Sequence, residues 1–487
     1  MGTVAVAVMR TTRRAPILIA IAVLTVALRI PAYLATRHVS FDDGVYGASA
    51  VAMRTGALPF REVFSSQGPL FLPLVWLFDL VGLRTLDAPR LLSVASGLAL
   101  VAATWSAARA LRLSPAAAAV AATLVATSGS VLWVTGPLTS DGPGLALAAG
   151  AVAAALWYRR TPSLRLALTA GALLGAALSV KSLLLGAAVP VGWALLPNRR
   201  HLGAAAGVAA GLGLAVALPW GLGSVWDQAF RYHLEAAGPR TPVGNLRKVV
   251  STLGDRDLPV VLAALAAAVA GLAAGNRRSF TGVPRNRNAG WAGGGGRPLV
   301  AGWLVATAVV LAAEHPLWRP HVSHLIPAAA LLAASAFDRV RRRLRAGAVV
   351  VMAVAACAVG PYHLVHLSEV LWPAPPGPAL AAARADLRAL PAGGEAISDD
   401  PGVVWRAGRR TPPDLVDTSI LRIDSHRITA ASLARAAADR RVCAVLVWSD
   451  RFGDLAVLPD GLRQAGYAPA GAYGGPKQLW RRVACAP

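Results

Sequence analysis

Four stretches of this chain carry ionisable side chains in arrangements that could do chemistry. The first is Ser40-Phe-Asp42-Asp43-Gly-Val-Tyr46, directly after an apolar run. Adjacent carboxylates raise each other's proton affinity. A carboxylate so poised can take a proton from an acceptor hydroxyl as a general base. Either residue could instead cap a helix running to about Arg54. The second is Asp141, in Thr139-Ser140-Asp141-Gly-Pro143, an alternative acid or the cap of a helix with Pro143 in its first turn. The third is Lys181, the one lysine inside the apolar stretches. At a span end it either snorkels to the interface or pairs with an anion such as a lipid phosphate. The fourth is Glu314-His315-Pro-Leu-Trp-Arg319-Pro-His321-Val-Ser-His324, a cluster suited to contacting phosphate or sugar. His321 and His324 can share a helix face. A metal site needs further ligands and their supports, so no metal ligand is assigned and use of a divalent metal stays open.

The elements that must position these residues are membrane spans. Of 487 residues, 55% are apolar and only 15% charged, against roughly 25% charged in soluble domains. Three cysteines exclude a disulfide framework. A net charge of +24 would suggest nucleic acid in a soluble chain; in a membrane chain it reports sidedness, and no nucleic-acid partner is expected. Apolar windows lie at Pro16–Ala35, Arg90–Ala110, Pro115–Thr135, Asp141–Tyr158, Leu164–Val180, Leu183–Leu196, Leu202–Leu222, Leu258–Gly275, Pro298–Ala313, His321–Phe337 and Ala346–His366. Arginine clusters fall at every second boundary, including Arg10/Arg13/Arg14, Arg109/Arg112, Arg159/Arg160 and Arg339/Arg341/Arg342/Arg343. Positive charge marks the cytoplasmic side, so the N-terminus is expected inside and the C-terminus outside. Asp42, Asp43, Asp141, Lys181 and the His321 cluster then share the outer face.

Pro69–Leu83 is apolar but short, with Asp79 inside it. Crossing there would invert every later cluster, so it reads as an interfacial or re-entrant helix; the alternative is a true span with another window not crossing. The basic N-terminal run resembles a signal peptide but lacks a small-residue cleavage site, so a retained first span is expected. The Gly-rich stretch Asn276–Arg297 has neither a preceding strand nor a Gly-Lys-Ser/Thr, and reads as a linker rather than a phosphate loop. Ser224–Arg240 has the spacing of an interfacial helix with Trp226, Phe230 and Leu234 on one face.

After Trp372 the pattern changes. Pro373–Pro378 is a stiff linker. Helical periodicity over Ala379–Leu390 and Thr429–Arg440 alternates with strands at Ala396–Ser398, Val442–Trp448, Tyr467–Tyr473 and Gln478–Val483. This describes a small α/β domain. Cys443 and Cys485 both fall in it, and a disulfide between them can persist outside the cytosol; spacing alone does not pair them. Asp399, Asp400 and Asp450 read as turn and cap residues.

The ordered set Asp42-Asp43-Gly-Val-Tyr46, Gln67-Gly-Pro69-Leu, Arg90-Leu-Leu, Asp141-Gly-Pro143, Val180-Lys181 and Arg319 to Pro327 resembles the GT-C superfamily of polyprenyl-phosphate-sugar-dependent glycosyltransferases, in particular the branch of protein O-mannosyltransferases and the lipid A aminoarabinose transferase. The resemblance covers about Pro16 to Phe337, and the tail looks like those of actinobacterial members. It implies an α-helical polytopic membrane protein with about 11–12 transmembrane helices, a GT-C-like domain over 1–369 including an outer loop at 37–89, and an extracytosolic α/β domain over 370–487. It implies a plasma-membrane enzyme with a polyprenyl-phosphate-sugar donor and inversion at the anomeric carbon. Asp42 would be the base, with Asp43 or Asp141 orienting the acceptor or serving as the alternate base. Lys181 and Arg319 would hold the leaving phosphate, and His321, Tyr46, Gln67 and Arg90 would contact substrate. Relatives often carry His or an acid near the first-loop proline; here Ser66-Gln67-Gly68 stands there, so the resemblance carries no metal contact to this position. The acceptor and the sugar are not implied. Two other classes compete: a lipid-linked-sugar transporter, which would place binding groups at the midplane between repeats, and a non-catalytic assembly protein on the same scaffold.

Overall fold

The structure is a computed structural model that describes residues 15–235, 241–276, 296–341, 362, 365–453, 455 and 458–485. Among these residues, five helices are long and apolar enough to cross a membrane: Pro16–Tyr33, Ala88–Ala110, Arg199–Trp220, Gly296–Ala313 and Arg319–Asp338. A sixth arises if Pro115–Thr127 and Gly129–Thr135, bent by 61°, are one broken span. Helices at Asp141–Arg160, Leu164–Val180, Ala188–Leu195 and Pro242–Asn276 pack in the same bundle. The expected span at Ala346–His366 lies almost wholly outside the described residues. Large apolar side chains such as Ile19, Val23, Leu214, Val305 and Val309 stand exposed on these helices, an outward face that suits lipid rather than water. The interior is built mostly of small residues: Ala117, Ala121, Ala148, Ala151, Ala155, Ala170 and Ala177 are buried in one cluster, which lets helix backbones approach closely.

The break in the third expected span is held by one side chain, Ser128, and a distant partner. Ser128 leaves the helix and its hydroxyl caps the next one, accepting from Val131 N at 3.2 Å. The same hydroxyl donates to Asp257 at 2.5 Å. Asp257 is the non-helical residue of a kink inside Pro242–Asn276, two residues before Pro259, whose ring cannot continue the preceding helix unbroken.

Phe71–Val81 forms a helix of 11 residues, about 16 Å long and half of what a bilayer core needs. Its Asp79 is buried and takes two hydrogen bonds from Arg54, at 2.6 and 2.9 Å. The segment after Gly221 presents Trp226, Phe230 and Leu234 to the outside while Val225, Ala229 and Tyr232 pack inward. Its Asp227 and Glu235 are bound by Arg427 of the tail at 2.7 and 2.9 Å.

The tail folds as a four-stranded sheet of β1 (Glu395–Ser398), β2 (Val442–Val447), β3 (Tyr467–Ala472) and β4 (Gln478–Arg482), in the order β1-β2-β4-β3. β1 runs parallel to β2, and the closing strands are antiparallel. Helix Ala430–Ala438 opens with Thr429 in a capping box with Ser432. Trp405, fully buried, lies so close to Gly47 that a Cβ there would come within 2.3 Å of its ring; only glycine admits it. His38–Asp400 at 3.0 Å and Arg406–Asp87 at 2.6 Å reinforce this docking.

Cys443 and Cys485 are joined by a disulfide. Closing a loop of 42 residues restricts the unfolded tail by an order of about 4 kcal/mol. Replacing both cysteines by serine in the full-length protein is expected to lower the temperature at which the tail unfolds by about 15 °C, and reducing agent should leave the variant's melting unchanged. Equal melting of the oxidised wild type and the variant would count against this.

Candidate active site

Asp42 and Asp43 begin the Phe41–Arg54 helix, yet neither caps it. Ser40 does, accepting from Asp43 N at 3.2 Å. About 100° separates successive residues on a helix, so the two carboxylates face different surroundings. Asp43 points inward and is fully engaged. It accepts from Arg90 Nε at 3.0 Å and Nη2 at 2.5 Å, from Val39 N at 2.9 Å and from Leu138 N at 3.1 Å. Burial pushes its carboxyl up, but Arg90 overrides that and holds it below the ordinary range. Arg90 is itself fully buried, donates also to the carbonyls of Tyr33, Ala35 and Arg37, and stacks against Trp405. These are two corrections. Asp43 has no free acceptor for a substrate, and Arg90 has no free donor. Together they tie the end of the first span to the next and to the tail.

Asp42 is different. Among the described residues it makes no hydrogen bond or ion pair, and it keeps partial exposure although protein surrounds it. Its carboxylate is therefore open to an incoming group. Burial raises its carboxyl to about 6; the charge of Lys181 opposes, while Asp141 and Asp417 add to the rise and His321 opposes again. One turn on, Tyr46 packs edge-on against Phe71 at 4.5 Å and its hydroxyl bonds Ser140. Ser140 Oγ donates to Gln67 Oε1 at 2.8 Å.

Lys181 reaches this place because its helix ends there. Leu164–Val180 stops at Lys181, which is extended (φ −152°) and leads into a tighter turn at Ser182–Ala187. The stop is held by the Gln67-Gly68-Pro69 segment. Gly68 N and Leu70 N donate to the carbonyls of Val180 and Ser179 at 3.1 and 2.9 Å. A Cβ on Gly68 would lie 2.2 Å from Ser179 O, so this approach requires glycine.

The Lys181 ammonium donates to Asp141 Oδ2 at 2.7 Å, meets His321 Nε2 at 3.0 Å, and contacts Ser140 Oγ at 3.5 Å. An ammonium only donates, so His321 Nε2 accepts and its proton sits on Nδ1. That atom lies 2.6 Å from Glu314 Oε1, close but not aligned as a hydrogen bond. Asp141 Oδ1 bonds His324 Nε2 at 2.8 Å. Asp141 caps nothing; one of its oxygens holds Lys181 and the other His324, so it fixes the positions of those two side chains. The contact to Ser140 is the weak one, so that N–H is the donor best able to turn to an incoming anion.

The expected grouping is thus partly realised. Asp42, Tyr46, Gln67, Asp141, Lys181 and His321 come together, and the two histidines do share a face, with ring centroids 5.9 Å apart. Arg319 does not join them: it is half exposed and pairs with Asp255 at 3.1 Å. Ser140, Glu314 and His324 belong to the cluster, and so does Asp417 of the tail, which lies 3.4 Å from Ser66 Oγ. No motif marks Asp417 in Pro412-Pro-Asp-Leu-Val-Asp417; only folding brings it here.

The residues do not fit a divalent metal. Among the described residues no group of three His, Cys, Asp or Glu side chains could hold one, and the Lys181 ammonium already stands between Asp141 and His321.

The chain has the GT-C fold. It matches ArnT from Cupriavidus metallidurans bound to undecaprenyl phosphate, with a TM-score of 0.60 and 15% identity over 96% of this chain and 98% of that one. ArnT in the apo state matches with a TM-score of 0.61 at 14% identity, over 97% and 98%. An oligosaccharyltransferase from Archaeoglobus fulgidus, in complex with Zn and sulfate, matches with a TM-score of 0.58 at 13% identity, over 96% and 73%. No family model matches the sequence. No curated protein matches it either.

Proposed function

We propose that this chain is a membrane glycosyltransferase that moves a sugar from a polyprenyl-phosphate carrier to an acceptor hydroxyl, with inversion at the anomeric carbon. The observation that carries the reading is Asp42: a partly exposed carboxylate that makes no hydrogen bond or ion pair among the described residues, its pKa raised to about 6, with the charge of Lys181 acting on it. The acceptor hydroxyl gives its proton to Asp42 as its oxygen bonds the anomeric carbon. The bond from that carbon to the phosphate oxygen breaks on the opposite side. Polyprenyl phosphate leaves as an anion, so it needs positive charge rather than a proton donor, and Lys181 supplies it. Gln67, Tyr46 and His321 border the same space. The carrier class is supported by the neighbour that holds undecaprenyl phosphate. In this reading residues 1–369 form the catalytic membrane domain and 370–487 an extracytosolic domain, with the N-terminus cytoplasmic in the plasma membrane.

The test is transfer by the purified full chain in nanodiscs, using labelled undecaprenyl-phosphate sugars and hydroxyl acceptors. No product from any donor would overturn the reading. The pH profile adds a sharper prediction. A base works in its ionised form, and Asp42 is raised to about 6. The kcat is therefore expected to be flat above pH about 7 and to fall about tenfold per unit below about 6. A rate unchanged down to pH about 4.5 would remove Asp42 as the base.

A further inference from the structure

The tail does more than sit on the bundle; one loop of it reaches the Ser66-Gln67 segment beside the cluster. Asp417 is buried, and its Oδ1 accepts from Ser419 N at 2.9 Å. Among the described residues its Oδ2 meets only Ser66 Oγ, at 3.4 Å, a contact too long to saturate a carboxylate with about four acceptor sites. Ser66 precedes Gln67, which is bonded to Ser140 beside Lys181.

The loop is held firmly. Arg422 Nη1 donates to the carbonyls of Asp414 and Asp417, both at 2.7 Å, and its guanidinium lies 3.9 Å over Phe64. Thr418 Oγ1 bonds Ser398 O at 3.1 Å, and Tyr232 and Ser419 share a hydrogen bond of 3.0 Å. A side chain this well supported, with unused acceptor capacity, is pre-organised to bind something.

The cluster also has a polarity. Its cationic pole is Lys181, set on Asp141 and His321. Asp42 and Asp417 form the anionic pole, and the charge of Asp417 acts on both Asp42 and Tyr46. A phosphate-bearing donor belongs at the first pole. Resting on the glycosyl-transfer reading above, we propose that Asp417 is an acceptor-specificity residue, supplied by the tail domain, whose free carboxylate oxygen accepts a hydrogen bond from a second hydroxyl of the acceptor beside the one that reacts. The acceptor is thus a polyhydroxylated molecule, and the tail domain is part of the active site.

Asp42 is faced by Lys181, Asp141, Asp417 and His321. Removing the charge at 417 relieves it of one like charge. The experiment uses full-length protein in nanodiscs, whichever of labelled undecaprenyl-phosphate mannose, glucose or arabinose the wild type consumes, and the corresponding methyl glycoside as acceptor at varied concentration. Asp417→Asn is expected to raise the acceptor KM about tenfold or more, to keep the donor KM, and to move the acid limb of the pH profile to lower pH. Asp417→Glu should return the limb towards its wild-type position.

An unmoved acceptor KM and an unmoved limb would overturn the proposal. So would an equal loss towards donor and acceptor that Asp417→Glu does not rescue, since that marks a purely structural role. Failure of the underlying reading looks different: wild-type protein transfers to no hydroxyl acceptor, or Asp42→Asn transfers normally, in which case this proposal falls with it.

Discussion

Asp42→Asn is expected to lower the kcat of sugar transfer by about 10²–10⁴-fold and to leave donor affinity near the wild-type value. The expectation rests on what Asp42 lacks. It makes no hydrogen bond or ion pair among the described residues, so an isosteric amide breaks no structural contact. It removes only the ability to accept a proton. The neighbouring residue is the control. Asp43→Asn weakens the pair with the fully buried Arg90, and breaking a buried ion pair by removing one partner costs about 3–5 kcal/mol. Asp43→Asn is therefore read as loss of folded protein, and Asp42→Asn as loss of turnover in protein that still folds. Thermal unfolding and single-turnover transfer, measured side by side, separate the two. Normal turnover in Asp42→Asn would transfer the role of base to some other group.

Lys181→Met is expected to abolish retention of polyprenyl phosphate and to destabilise the protein at once. Methionine keeps much of the side chain's length but leaves Asp141, buried at 1% exposure, without its ammonium. The scale is again about 3–5 kcal/mol. A double variant, Lys181→Met with Asp141→Asn, removes both charges. Stability should then recover most of the loss while lipid binding does not. Binding of labelled undecaprenyl phosphate, with melting temperature in parallel, distinguishes the effects. If the double variant bound the lipid phosphate like the wild type, Lys181 would be a structural cation only.

Much of the architecture was legible before folding. Helix boundaries follow from apolar runs ended by Gly, Pro or arginine, and the tail's strands from short apolar runs between charges; β2, β3 and β4 fall within a residue of the expected windows. These signals are local, carried by residues near in sequence. The segment at Pro69–Leu83 was readable as a short helix, because its apolar run supplies only a few turns, and the helix found is Phe71–Val81. The kink at Ser128 was not, since it depends on Asp257, more than a hundred residues away.

The site divides along the same line. By itself the sequence determined which ionisable side chains stand at the outer ends of apolar runs: Asp42, Asp43, Asp141, Lys181 and His321 fall together there once the arginine clusters set the sidedness. Their division of labour came only from the tertiary structure. Two adjacent aspartates look alike in sequence, and a turn of about 100° along the helix gives one of them to Arg90 and leaves the other without a bonded partner among the described residues. Arg319 has the right charge and stands outside, on Asp255, while Asp417 carries no local mark and arrives from the tail. Composition and periodicity fix where a residue lies along a helix; which groups share a space depends on how distant helices pack, and that is where the chemistry was decided.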